Sequence, residues 1–196
     1  MTDHTDMIRM LIWAVDETAL LMGSRAFCRL AGIPAFPGSD WDFVSALPDA
    51  ELSEALEKLE DRVQHHGRTG LGGHKMMLRD VEERVSIWSA EEDALMRRYN
   101  CALSPENLVL SRNLNVEAVA MASDGAIYTR SDVGLAIANK RVVFGQPFPF
   151  IARRYAQLVL PKWRERGYEV PDGVPVAAGD QSVVGGIIPV APRKRP

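Results

Sequence analysis

His65, His66 and His74 bracket a glycine-rich run, Gly67-Arg-Thr-Gly-Leu-Gly-Gly-His, and three imidazoles in that arrangement are raw material for a metal centre. No acidic or cysteine partner stands at ligand spacing, so the run reads as a polar loop and no metal is expected. The stretch ends in Lys75, as a phosphate-binding loop would, but Met76 stands where such a loop needs Ser or Thr, and no nucleotide site is read there. Cys28 and Cys101 have no visible base beside them and read as small buried residues. The dense acids Asp80, Glu82, Glu83, Glu91, Glu92 and Asp93 read as a solvated face and as helix N-terminal signals rather than as paired catalytic carboxylates. The chain therefore reads as noncatalytic and without a cofactor.

The basic residues carry more information. Arg153, Arg154, Lys162, Arg164 and Arg166 interleave with Tyr155 and Trp163, and Arg193-Lys-Arg closes the chain. Residues 1–109 hold 11 basic and 19 acidic side chains, whereas residues 110–196 hold 12 and 7, so the net charge of −3 hides an acidic half and a basic one. A basic half suits a polyanion. The apolar share of 46% and charged share of 25% in 196 residues exclude disorder and fibrous repeats and predict a buried core. Two cysteines make no disulfide scaffold. The apolar run from Met7 to Met22 is broken by Arg9, Asp16 and Glu17, so it predicts no signal peptide or membrane span, and the expected location is the cytoplasm.

The elements that must hold these residues read as helices. Residues 6–32 carry helix-compatible apolar spacing closed by Gly32-Ile-Pro. Asp40-Trp-Asp-Phe-Val-Ser-Ala-Leu reads as a brief helix stopped by Pro48. Leu52, Ala55, Leu56, Leu59 and Val63 predict a helix from Asp49 to His65. Ser89 is the expected cap of a helix reaching Tyr99, with acids in its first turn. Helices near Asn115 to Ala122, from Thr129 or Ser131 to Arg141, and from Phe148 to Arg166 follow, and residues 76–88 stay ambiguous between helix and strand. The glycine run reads as a linker, and the proline- and glycine-rich end as an extended arm.

Ile12-Trp-Ala-Val-Asp-Glu-Thr-Ala-Leu-Leu-Met matches Ile87-Trp-Ser-Ala-Glu-Glu-Asp-Ala-Leu-Met, and two later segments keep nearly the same offset, which predicts an internal repeat. Trp88-Ser-Ala-Glu-Glu-Asp-Ala-Leu-Met resembles the opening of the Myb/SANT-like helix-turn-helix family over residues 86–145, with a degenerate copy at residues 11–64. The resemblance implies a mainly α fold of two related tri-helical units plus a C-terminal helix and an extended tail. The expected division is residues 1–66 as a first, acidic unit, 67–75 as linker, 76–145 as the second unit, 146–167 as a basic amphipathic helix and 168–196 as tail. It implies a DNA-binding regulator whose second unit meets duplex DNA, with Arg130, Asn139, Lys140 and Arg141 on its third helix as contact residues, and the positive patch of the next helix adds Arg153, Arg154 and Lys162 as expected phosphate contacts. The alternative is a noncatalytic protein-interaction module, with the acidic first unit meeting another protein. A small enzyme ranks third.

Overall fold

The computed structural model describes residues 4–69, 72–79, 83–145 and 153–173. Helix α1 (His4–Val15) leads into strand β1 (Leu20–Met22), helix α2 (Gly23–Ala31), strand β2 (Trp41–Ser45) and helix α3 (Asp49–Glu57). Strands β3 (Val63–Arg68), β4 (His74–Leu78) and β5 (Arg84–Ser89) follow, then helices α4 (Ala94–Tyr99) and α5 (Pro105–Ser111). A 3-10 turn at Asn115–Glu117 opens the last stretch, with β6 (Val119–Met121), β7 (Ile127–Thr129), α6 (Val133–Asn139) and α7 (Arg153–Glu165). The strands form a seven-stranded sheet in the order β3-β4-β5-β2-β1-β6-β7, parallel between β2 and β5 and antiparallel elsewhere.

A mixed sheet overturns the mainly α reading and the two tri-helical units. The decisive strands are short and buried, so they show no alternation for a pattern search to find. Leu20-Leu-Met and Val119-Ala-Met are buried at every position. The predicted brief helix at residues 40–47 is β2, whose Trp41, Phe43 and Val44 are all core. The long helix expected to His65 ends at Glu57, and Val63 begins a strand instead. Asp93, not Ser89, caps α4, accepting from the backbone N–H groups of Leu95 and Met96. Of the run at 67–75 read as a linker, Gly67 pairs with Lys75 and Arg68 with His74 in the antiparallel β3–β4 ladder.

The repeat and the Myb/SANT-like resemblance go with the helices. Ile12-Trp13 lies on α1, whereas Ile87-Trp88 lies on β5. Trp13 meets Phe43 edge-on and donates to the carbonyl of Ala19, while the Trp88 indole donates to Asp93. Like words in the sequence thus sit in unlike structures.

The core runs along the sheet and under α2. Phe27 of α2 receives Trp163 of α7 edge-on with ring centres 5.4 Å apart, and Phe36 and Tyr168 complete the cluster at 5.5 and 5.0 Å from the same indole. Aromatic pairs of this geometry add about 0.5–1.5 kcal/mol each beyond burial, so α7 is fastened to the α2 side of the body. Among the described residues, no helix is long and apolar enough to cross a membrane.

Candidate active site

β1 is the short strand that delivers Gly23. Met22 pairs with Asp42 across the antiparallel β1–β2 ladder, and the chain then turns directly into α2. Met22 caps that helix without a side-chain hydrogen bond, and the first turn carries no acidic residue. The first backbone N–H groups of a helix are donors with positive partial charge, suited to an anion. Gly23 adopts φ +71°, and a methyl group at its Cα would stand 3.1 Å from Asp42 Oδ2. Only glycine satisfies both the left-handed backbone and the approach of that carboxylate.

Asp40 and Asp42 bracket Trp41. Successive side chains of a strand leave on opposite faces, so residues two apart share one. Asp42 is half-buried, and its pKa is pushed up to about 7 by burial first, then by repulsion from Asp40 and Glu117, with Lys162 pulling the other way. Asp40 meets Arg84, whose Nε lies 2.8 Å from Oδ1. Arg25 fixes the approach to the pair: its Nη2 donates to Ser39 O at 2.9 Å and to Glu83 at 2.7 Å, and its guanidinium lies over the Trp41 ring.

Asp40 raises the proton affinity of Asp42, and two neighbouring carboxylates form a ready seat for a hard cation. Mg²⁺ is held by one or two carboxylates together with waters and substrate phosphates, so Asp40 and Asp42 fit that ion when a phosphorylated ligand brings further oxygens. Among the described residues, no group of three or more His, Cys, Asp or Glu is placed to hold a metal. The donor set is thus the aspartate pair, with the α2 N-terminus beside it.

The residues named as DNA contacts lie elsewhere, except one. Arg130 is 6% exposed, donates to Arg112 O at 2.5 Å and pairs with Asp132 at 2.8 Å, so it braces the interior. Asn139 ends α6, Lys140 is its left-handed cap at φ +49°, and Arg141 lies 3.6 Å from Glu169 beside a backbone bridge. α6 spans only Val133–Asn139, and its exposed face carries Leu135 and Ile137 rather than a basic row, which removes the recognition helix. Arg153 and Arg154 open α7, and their side chains lie outside the described residues, as does the arm at 174–196. Lys162 is exposed on α7 and its charge reaches Asp42.

The other groups singled out in the sequence have partners of their own in the fold. His74 is buried, with Nδ1 2.9 Å from His66 Nε2 and Nε2 3.3 Å from Asp49 Oδ1. Burial lowers its pKa, Arg68 reinforces this and Asp49 opposes it. Burial raises the thiol pKa of Cys28 and Cys101. Asp80 and Glu82 lie outside the described residues, and Glu83 is taken by Arg25.

The sequence reading missed Gly23-Ser24, Asp40 and Asp42. Their signal was present: a glycine directly after an apolar triplet, and two acids spaced by one residue at the start of an apolar run. Read with a period of two instead of 3.6, Trp41 to Ser45 is a strand, with Asp40 directly before it and Asp42 within it.

No family model matches the sequence, and no curated protein sequence matches it. Solved structures do share the fold. A structure described as a tRNA-processing enzyme in an apo form superposes with a TM-score of 0.61 at 14% identity, covering 88% of this chain and 45% of that one. A CCA-adding enzyme in complex with CTP gives 0.58 at 13% identity, covering 88% and 41%. The Thermotoga maritima CCA-adding enzyme complexed with tRNA gives 0.55 at 13%, covering 88% and 40%. The chain spans less than half the length of these proteins. Identity this low makes the likeness one of fold, and that fold replaces both the helix-turn-helix regulator and the helical interaction module.

Proposed function

We propose that the chain is a nucleotidyltransferase, binding a nucleoside triphosphate with a divalent cation at Gly23, Ser24, Asp40 and Asp42 and passing the nucleoside monophosphate to a hydroxyl at an RNA end. The carrying observation is the approach of Asp42 Oδ2 to the backbone of Gly23, which sets a carboxylate against a helix N-terminus with no acid or side-chain cap of its own. In that arrangement the N–H groups of the first turn of α2 donate to phosphate oxygens. Asp40 and Asp42 would hold a divalent cation, which when bound would supply charge screening and polarisation at the phosphates. The acceptor oxygen then forms a bond to the α-phosphorus as the bond to the pyrophosphate oxygen breaks, and the hydroxyl proton passes to a base or to water. Arg25, by clamping Ser39 and Trp41, keeps the two carboxylates in register with the helix.

The solved structures of like fold support this reading through what they are described as binding: CTP in one and tRNA in another. RNA as acceptor also accords with the basic balance of residues 110–196, which contribute exposed Lys162 and Arg164 on α7. Incubation with Mg²⁺, each labelled nucleoside triphosphate and a tRNA acceptor tests the proposal. Label should join the RNA with the wild-type chain and stay free with Asp40→Asn or Asp42→Asn. Equal incorporation by all three proteins rejects it.

A further inference from the structure

Arg166 follows the last residue of α7, and the chain closes tightly around it. Its N–H donates to Lys162 O at 3.2 Å, Gly167 turns through φ +81°, and the Tyr168 N–H returns to Trp163 O at 3.1 Å. This closure fixes the backbone that carries the guanidinium. The guanidinium carbon lies 4.3 Å from the centre of the Phe36 ring and 4.8 Å from that of Trp163, so two aromatic side chains bed the charge. Phe36 belongs to the turn that leads into the aspartates. Its carbonyl accepts from the N–H and the hydroxyl of Ser39 at 3.1 and 2.7 Å, directly before Asp40.

What Arg166 lacks is an anion. Among the described residues its guanidinium makes no ion pair and no hydrogen bond, although the residue is half-buried. Burial lowers its pKa from the ordinary arginine value, with Cys28, Tyr168 and Glu165 opposing. Arginine keeps its proton all the same, and a charge drawn out of water without a partner carries a cost that a bound anion relieves. The rest of the bed offers little to a nucleobase. Phe27, Trp163 and Tyr168 are buried and meet one another edge-on, so stacking on them is closed and the donor fork of Arg166 is what remains to be bound. One turn back along the helix stands Lys162, exposed and near enough that its charge acts on Asp42. Resting on the nucleotidyltransferase reading, we infer that Arg166 and Lys162 together hold the phosphodiester backbone of the RNA acceptor beside its terminal hydroxyl, with Lys162 on the side of the carboxylates. Phosphate matches the planar fork of arginine, which binds two of its oxygens at once.

Fluorescence anisotropy of a 5′-labelled single-stranded oligoribonucleotide with a free 3′-hydroxyl, read at several salt concentrations on the intact chain, tests the inference. Arg166→Gln should weaken binding about tenfold, the scale of a hydrogen bond to a charged group. It should also flatten the salt slope by about 0.7, the share of one phosphate on a single strand. Arg166→Lys keeps the charge and should keep the slope. RNA affinity and slope both unchanged in Arg166→Gln would overturn the inference and leave the nucleotide site standing. A slope flattened equally by Arg166→Lys would overturn it too, reducing the guanidinium to packing on Phe36 and Trp163. Equal binding of poly-glutamate of matched charge would overturn phosphate as the ligand. Calorimetry with Mg²⁺ and a nucleoside triphosphate separates the two levels: a wild-type chain that binds the RNA but no triphosphate would overturn the nucleotide reading, and with it the acceptor role of the bound strand.

Discussion

Asp42 and Asp93 are both aspartates in the protein interior, and their surroundings push them in opposite directions. Burial works against ionisation of Asp93 too, but the Arg112 guanidinium grips it with two hydrogen bonds of 3.0 and 2.8 Å, and the Met96 N–H and Trp88 indole add more, so its pKa falls below the usual carboxylate range. Asp42 faces Asp40 and Glu117 instead, and its pKa rises to about 7. Every partner of Asp93 belongs to the chain itself, and the result is an internal brace tying α4 to the end of α5. Asp42 faces like charges first, with Lys162 pulling the other way, and a carboxylate so placed gains most from a cation brought by a ligand. The contrast separates a residue that holds the fold from one that the fold holds ready.

The largest expected effect is chemical. Asp42→Asn should reduce nucleotidyl transfer by about a thousandfold or more, the scale of losing a charge that positions a metal-assisted reaction. The same variant should melt no lower than the wild type near neutral pH, as read by circular dichroism. A marked fall in its melting temperature would place Asp42 with Asp93 as a structural residue. Breaking the brace should do the reverse: Arg112→Met leaves Asp93 buried without its cation and should cost about 3–5 kcal/mol in urea unfolding. A loss under about 1 kcal/mol would show that the pair is dispensable.

Stability against pH sharpens the contrast. With chelator present, the folded chain keeps the Asp42 proton between roughly pH 4 and 7 while the unfolded chain has released it. That group therefore subtracts stability as pH rises through this window, by up to about 4 kcal/mol, less for whatever water reaches the half-buried carboxyl. Asp42→Asn should remove that decline, which denaturant titrations at several pH values would show. Asp93 acts with the opposite sign, its contribution being present above the ordinary carboxylate range and lost as pH falls through its lowered value. A smaller effect belongs to Gly23→Ala, where the left-handed backbone and the 3.1 Å approach to Asp42 together should cost about 1–3 kcal/mol and weaken nucleotide binding. Wild-type affinity in that variant would release Gly23 from the site.

Legibility in the sequence followed the kind of signal each element leaves. α3 was visible from Leu52, Ala55 and Leu56 because a helix on the outside of a sheet shows a 3.6-residue stripe, though its end was overrun into β3. β1 and β6 were invisible because three buried residues carry no period. Trp88-Ser-Ala-Glu-Glu-Asp resembled a capped helix since Asp93 does cap one, but one turn later, after Ser86 to Ser89 have finished a strand. The basic half pointed toward a polyanion, yet Arg130, the first residue chosen from it, lies in the core, where its three backbone and carboxylate partners have no counterpart in a charge count. The site escaped notice because its members come from two separate segments that only the β1–β2 pairing brings together.

Calorimetric titration of the chain with a nucleoside triphosphate, with and without Mg²⁺, tests the central claim most directly. Saturable binding that depends on Mg²⁺ in the wild type and disappears in Asp42→Asn is the predicted result. Equal binding by the two proteins, or no binding by the wild type with any of the four triphosphates, would contradict the assignment of Gly23, Asp40 and Asp42 as a nucleotide site.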